Sequence, residues 1–412
     1  CMLRRSFVVL ACSLAVASCL DYCGNFDPSF DPFPPLGSNP SARLVQAQIV
    51  LRHGDRTICQ AGKCWDNDTA VWDCRLNHVE APYMANDNPS TIRRLFRKQW
   101  LAGHEDFRGD CGTGQLTSEG HKQQNLNGAA ARRAYSEREG LVTDLLNASS
   151  VYLRADDSPR TQLSAESFIE GMFPSAHESL QVVSLHTMVS DRDYIEPNSK
   201  VCPRWAEILA AGKASAEYKQ RYAQLVTPVL HELAKVSTPP PSTVLHPFDC
   251  LMVHHCHNQS VPSLLTPHLA HAIVDAATFD ESFPFTFPDR ETAGRLGMGP
   301  LLADIWRRAS SVTSDVANAP ALALYSGHDT TVMGVLIALG VWDGVWPPYA
   351  STIAFETYQL DTGYAMRVVY NGRPMQLVGC PHTLCPMAQV ERVFAPLIPT
   401  SADCPGATMT PA

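Results

Sequence analysis

The chain has 412 residues, 45% of them hydrophobic and 18% charged, a globular composition with enough apolar content for a sizeable core. A formal net charge of −9 argues against general binding to nucleic acid or to an anionic membrane surface. Any anion site on such a chain has to be a local concentration of positive charge.

The first residues read as a targeting segment. Arg4 and Arg5 precede an apolar run from Phe7 to Ala17, and small residues follow through Ala15 to Cys19. Basic flank, apolar middle and small-residue cleavage site make residues 1–19 a secretory signal, cut after Ala17 or Ser18. The run falls short of the about 20 apolar residues of a membrane span, so a short signal anchor is the lesser alternative. The chain is therefore expected to be secreted or lumenal, in a Golgi-like or lysosome-like compartment. Its 14 cysteines agree. Beyond Cys23 stand Cys59, Cys64, Cys74, Cys111, Cys202, Cys250, Cys256, Cys380, Cys385 and Cys404, an even set that reads as disulfides in an oxidising compartment. Asn67, Asn147 and Asn258 open glycosylation sequons, whereas proline follows Asn39 and Asn88 and excludes them.

After an irregular, proline-containing leader, Leu44 to Leu51 reads as a strand. Cys59 to Cys111 is a stapled excursion with one helical patch near Ile92 to Ala102. Leu116-Thr117-Ser118-Glu119-Gly120 opens a helix running to about Glu139, capped by Thr117 or Ser118. Ser150 to Arg154 and Leu180 to Leu185 are short β-rich runs, with a helix over Gln162 to Met172 between them. Helical patterns follow over Pro203 to Val236, Leu264 to Ala277 and Gly294 to Arg308, the first ending at Pro239-Pro240-Pro241. Ala321 to Tyr325 is a second buried strand, Thr330 to Leu339 a helix closed by Gly340, and Ile353 to Leu360 with Tyr364 to Tyr370 a hairpin. Strands alternating with helices predict a three-layer α/β/α sandwich. The expected division is a discontinuous core, 43–164 and 291–404, with a mainly helical cap inserted at 165–290.

Two charged turns share one context. Arg52-His53-Gly54-Asp55-Arg56 follows the first strand, and Ser326-Gly327-His328-Asp329 follows the second and opens a helix. Ligands in open α/β sheets bind beyond the carboxyl ends of the strands, and helix N-termini there favour anions. Arg160 also follows a strand and precedes a helix. Such a pocket suits a phosphate monoester: Arg52, Arg56 and Arg160 would fork onto phosphoryl oxygens, and neutral His53 would attack phosphorus. Gly54 would leave room for close backbone approach. His328 would bind the phosphoryl group and Asp329 would protonate the leaving oxygen. No metal or cofactor is called for, because three guanidiniums supply the charge stabilisation. Arg154 is a lesser helper.

With these motifs in hand, the sequence resembles the histidine acid phosphatases. Arg52 to Arg56, Ser326 to Thr331 and Asp157 to Ser167 are similar to that family's three anion-binding stretches. The resemblance implies a phosphoglycerate mutase-like fold, His53 as the phosphohistidine-forming nucleophile, Arg52, Arg56, Arg160 and His328 on phosphate, and Asp329 as proton donor. It spans about 44 to 404. Gly114 to Gly120, Trp346 to Ser351 and Gly379 to Pro386 fit the prostatic and lysosomal members. Leu251 to Pro262, Trp72 to Tyr83 and Met366 to Gly372 resemble the 2-phosphoxylose phosphatase branch, which implies a phosphorylated sugar as substrate. A phytase-like substrate, a silent lumenal binding protein on the same fold and a phosphomutase are the alternatives. Small-molecule or glycan phosphate monoesters are the expected partners, and the oligomeric state stays open, a dimer included.

Thr57-Ile58 stands where the family has x-Pro, a change in loop shape that leaves the phosphate ligands intact. Thr352 stands where prostatic-type members have cysteine, which leaves Cys250 and Cys256 to pair locally. The resemblance implies Cys202–Cys404 and Cys380–Cys385; Cys74–Cys111 and Cys59–Cys64 are the remaining assignments. His254-His255-Cys256-His257 could bind zinc, but a lumenal compartment favours a disulfide with surface histidines. Arg93, Arg94, Arg97 and Lys98 read as a solvated helix face, or as an attractor of anionic substrate.

Overall fold

The structure is a computed structural model describing residues 21–24, 30–37, 41–60, 63–74, 79–80, 96–97, 108–143, 146–147, 150–174, 183–314 and 319–404. The expected signal segment, together with Arg93, Arg94 and Lys98, lies outside the described residues.

The strands, in chain order, are β1 (Arg43–Arg52), β2 (Val71–Trp72), β3 (Val79–Glu80), β4 (Phe96–Arg97), β5 (Arg108–Gly109), β6 (Val151–Ala155), β7 (Leu185–His186), β8 (Leu322–Gly327), β9 (Thr352–Leu360), β10 (Gly363–Tyr370), β11 (Arg373–Met375) and β12 (Leu384–Pro386). Eight of them form one mixed sheet in the order β11-β10-β9-β1-β8-β6-β7, with β12 also on β10. Strands β1, β8, β6 and β7 run parallel, and β9 joins β1 antiparallel. Every residue of β1 after Arg43 is buried, as is all of β8, which is what a strand covered on both faces requires.

The helices are α1 (Ser118–Ala131), α2 (Pro159–Met172), α3 (Pro203–Ala214), α4 (Ala216–Leu233), α5 (Leu245–Cys256), α6 (Pro267–Ser282), α7 (Arg290–Gly297), α8 (Gly299–Ser314), α9 (Asp329–Ala338) and α10 (Met387–Phe394). Alternation along β1 assigns them to layers. Ile49 and Leu51 pack with Ala130 and Phe168 of α1 and α2; Val50 joins the opposite core with Ile305 and Val332 of α8 and α9. The expected α/β/α sandwich is therefore present. The buried residues of α3 to α6 continue the second core. Helix α2 runs unbroken through residue 165 and packs on α1, so it belongs with the sandwich layers.

Several expectations change. Phe96–Arg97 pairs antiparallel with Val79–Glu80 instead of forming part of a helix, because cross-strand pairing inside the excursion outweighs local periodicity. The rest of that patch lies outside the described residues. The long helix expected over 203–236 breaks at Ser215, whose hydroxyl caps α4 by accepting from the Tyr218 amide. Helices α5 and α10 were not anticipated.

The disulfides are Cys74–Cys111, Cys202–Cys404, Cys380–Cys385, Cys23–Cys256 and Cys64–Cys250. The last two correct the expected Cys250–Cys256 and Cys59–Cys64 pairs. Cys250 and Cys256 both lie on α5, where six residues rise about 9 Å, beyond the roughly 7 Å Cα reach of a disulfide. Cys59 is free and exposed. Asn67, Asn147 and Asn258 are exposed. Among the described residues no helix is long and apolar enough to cross a membrane.

Candidate active site

Parallel β1, β8 and β6 end on one edge of the sheet, with Arg52 in register beside Gly327. The His53 amide donates to the Gly327 carbonyl at 2.9 Å. His328 caps α9 and Asp329 opens it, while Arg160 sits in the first turn of α2. Three motifs far apart in sequence thus meet beyond the carboxyl ends of neighbouring strands. The rings of His53 and His328 lie 5.4 Å apart, centroid to centroid.

The loop after β1 is held by two interlocked glycines. A Cβ on Gly54 would come 2.3 Å from the Gly120 carbonyl oxygen, and one on Gly120 would come 2.2 Å from that of Asp55. No other residue permits this backbone contact. It seats the His53 loop on the start of α1, where Thr117 caps by accepting from the Gly120 amide.

His53 is buried, and its Nδ1 lies 2.7 Å from the Gly54 carbonyl. A carbonyl only accepts, so Nδ1 carries the hydrogen and Nε2 keeps its lone pair. Burial first, and then the charges of Arg160, Arg52 and Arg56, hold the imidazole well below its ordinary 6.5. The ring is therefore neutral and nucleophilic at Nε2.

Arg52 is fully buried, its guanidinium packed against the Tyr22 ring at 4.7 Å and the Tyr349 ring at 4.3 Å. It donates to the Pro347 carbonyl at 2.6 Å and the Tyr22 hydroxyl at 2.7 Å, and pairs with Asp329 at 2.8 Å. Arg56 pairs with Asp249 at 2.7 Å. Arg160 donates to His328 Nδ1 at 3.1 Å. That contact makes Nδ1 an acceptor, so His328 Nε2 donates to Asp156, 2.9 Å away. The Nε atoms of Arg52, Arg56 and Arg160 are each buried without a hydrogen-bond partner.

Asp329 accepts from the Trp346 indole at 3.0 Å and from the Thr330 amide at 3.0 Å. Burial pushes its carboxyl up, but Arg52, Arg56 and His328 outweigh this and hold it below the usual carboxylate value. A cavity of about 180 Å³ opens beside it, lined by Tyr22, Arg56, Phe248, Asp249, Glu281 and Trp346 among others.

Sequence reasoning missed Tyr22, Asp156, Asp249, Trp346 and Tyr349. Asp156 had a local signal, since it stands four residues before Arg160, and Trp346 and Tyr349 lie in the Trp346 to Ser351 stretch that already fits the family's members. Arg154 lies apart from this group, buried against Asp193 at 2.8 Å and against the Tyr194 ring. The histidine cluster on α5 also disperses. His254 turns to Asp68 at 3.2 Å, His257 to Asp55 at 2.7 Å, and Cys256 is oxidised. Cys64, Asp68 and His254 converge, but the Cys64 sulfur is committed to Cys250 and leaves too few metal donors.

The family profile of the histidine phosphatase superfamily (branch 2) matches residues 43–371, the segment that carries Arg52, His53, Arg56, Arg160, His328 and Asp329. The chain belongs to this superfamily. As a branch-2 histidine phosphatase it is a phosphoric monoester hydrolase. It is 27% identical over 92% of its length to counting factor 60 of Dictyostelium discoideum, covering 92% of that protein. It is 29% identical over 70% of its length to human lysosomal acid phosphatase, covering 71% of it. Bovine prostatic acid phosphatase matches at 28% over 70% of this chain and 77% of its own. Among solved structures, a Klebsiella phytase superposes with a TM-score of 0.60 at 17% identity, over 90% of this chain and 100% of its own. That likeness establishes the fold alone.

Proposed function

We propose that the chain hydrolyses phosphate monoesters in two displacements through a phosphohistidine on His53. The observation that carries this is the convergence of Arg52, Arg56 and Arg160 on a buried neutral imidazole, each with an unpartnered Nε–H. The three guanidiniums bind the non-bridging phosphoryl oxygens. The Nε2 lone pair of His53 attacks phosphorus, the bond to the ester oxygen breaks, and Asp329 gives its proton to the departing alcohol. Water then attacks the phosphohistidine, Asp329 takes its proton, and cleavage of the N–P bond releases inorganic phosphate. His328 presents Arg160 and completes the phosphate pocket. The dianion entering beside Asp329 offsets the field of Arg52 and Arg56 and raises the carboxyl, so an acidic optimum follows.

Within this class the proposed substrate is a phosphorylated sugar such as 2-phosphoxylose in a glycan. The aromatic walls of Phe248 and Trp346 support it, since sugar faces pack on such rings. Secretion or lumenal residence is supported by the five disulfides and the exposed sequons. The proposed cap is the stretch from after α2 to residue 290.

Release of phosphate from p-nitrophenyl phosphate between about pH 4 and 7, with a chelator present, tests the class. Turnover that vanishes in His53→Ala is expected; turnover that survives the substitution contradicts the mechanism. Comparing a phosphoxylosyl oligosaccharide, inositol hexakisphosphate and a phosphotyrosine peptide tests the substrate, and preference for either of the latter two would displace the sugar.

A further inference from the structure

The pocket beside Asp329 holds a carboxyl that the phosphohistidine scheme does not use. Glu281, at the end of α6, is half-buried and lines the same pocket as Arg56, Asp249, Asp329 and Trp346. Its surroundings are mostly acidic. Asp329 of α9, Asp280 of its own helix and Glu196 of the segment before α3 press on it, and Lys213 of α3 opposes them. Glu196 is anchored there by the Thr330 hydroxyl, which donates to it at 2.5 Å. On the α5 side, Asp249 is committed to Arg56, and burial disfavours protonation of His246. Tyr22 completes that wall with its hydroxyl on Arg52.

We propose that Glu281 sets which phosphate esters the pocket accepts, admitting them when neutral and repelling them as a carboxylate. This rests on the phosphatase reading. Because Glu281 lines the same pocket as the proton donor, it faces the leaving-group side of the ester. Leaving groups that carry further phosphates next to the scissile bond are therefore excluded more strongly than neutral or sugar-like ones. Burial, followed by the fields of Asp329, Asp280 and Glu196, pushes this carboxyl up to about 7. It is thus protonated in an acidic lumen and charged above neutrality.

The test is the pH dependence of KM for p-nitrophenyl phosphate from about pH 5 to 8, in the wild type, Glu281→Gln and Glu281→Asp. Ionisation of the substrate is common to all three and cancels. The wild type should show KM rising roughly tenfold across this range, the size expected for two anions meeting in a partly dry pocket. Glu281→Gln should lose the rise, Glu281→Asp should keep it, and Glu281→Gln should gain more on inositol hexakisphosphate than on p-nitrophenyl phosphate. Lys213→Glu, at an exposed position that leaves the core untouched, should move the rise to higher pH. A Glu281→Gln curve that follows the wild type, or one in which kcat falls at acid pH with KM unchanged, overturns the proposal. A wild type inactive on every ester would overturn the phosphatase reading instead. Binding of inorganic phosphate by calorimetry then decides on Glu281, with the same loss of pH dependence expected in Glu281→Gln.

Discussion

At Asp329 two demands meet. A proton donor must hold a proton at working pH, yet Arg52 stands 2.8 Å away and keeps the carboxyl ionised before the ester arrives. In the proposed mechanism the incoming phosphate claims the same arginine that lowers the carboxyl, which would let one residue serve both states. Asp329→Asn should therefore slow alkyl phosphates by roughly 10²- to 10⁴-fold and p-nitrophenyl phosphate far less. Rates measured against leaving-group pKa decide this, and an equal loss for all esters would count against proton donation. His53, Arg52, Arg56, His328 and Asp329 stand out as candidates because the chain turns from apolar to charged at the ends of β1 and β8, and Arg160 because it opens the helix after β6. Tyr22 and Tyr349 were not. Both act through ring faces against Arg52, and nothing local in a sequence marks a tyrosine as a guanidinium platform.

Helix α5 clamps the loop after β1. Asp249 receives Arg56 and the Cys59 amide, and His257 reaches Asp55. Two disulfides fasten the helix, one to the leader that carries Tyr22 and one to the excursion. Removing Asp249 leaves a buried Arg56 without its counter-ion, so Asp249→Ala should lose about 3 kcal/mol in urea denaturation, at the lower end for a buried pair because the pocket admits water. Inorganic phosphate should restore part of that loss, and an unchanged midpoint would contradict the clamp. Replacing Cys64 and Cys250 by serine should cost about 2–4 kcal/mol. The clamp escaped sequence reasoning for an identifiable reason. Pro247 and the crowded histidines hide the helical period, and without the helix Cys250 and Cys256 look close enough to pair. The sandwich was more legible, since β1 and β8 are apolar runs between breakers and α1 carries a clear start.

For the whole molecule, the buried His53 sets a pH dependence of stability. His53 is held well below 6.5 when folded, so its contribution is complete above the unfolded imidazole value and is lost as pH falls. On acidification the unfolded chain takes up a proton that the folded chain refuses. The wild type should therefore lose more melting temperature between about pH 7 and 5 than His53→Asn does, and inorganic phosphate should narrow the gap. Equal slopes for the two proteins would mean that the ring is not held neutral.

The central claim is a phosphoryl group carried on His53. Quenching turnover of a 32P-labelled monoester in alkali and mapping the label by peptide tests it most directly. The account predicts an acid-labile, alkali-stable label on the peptide containing Leu51 to Arg56, lost in His53→Ala. A label on another residue, or one that persists in His53→Ala, would contradict it.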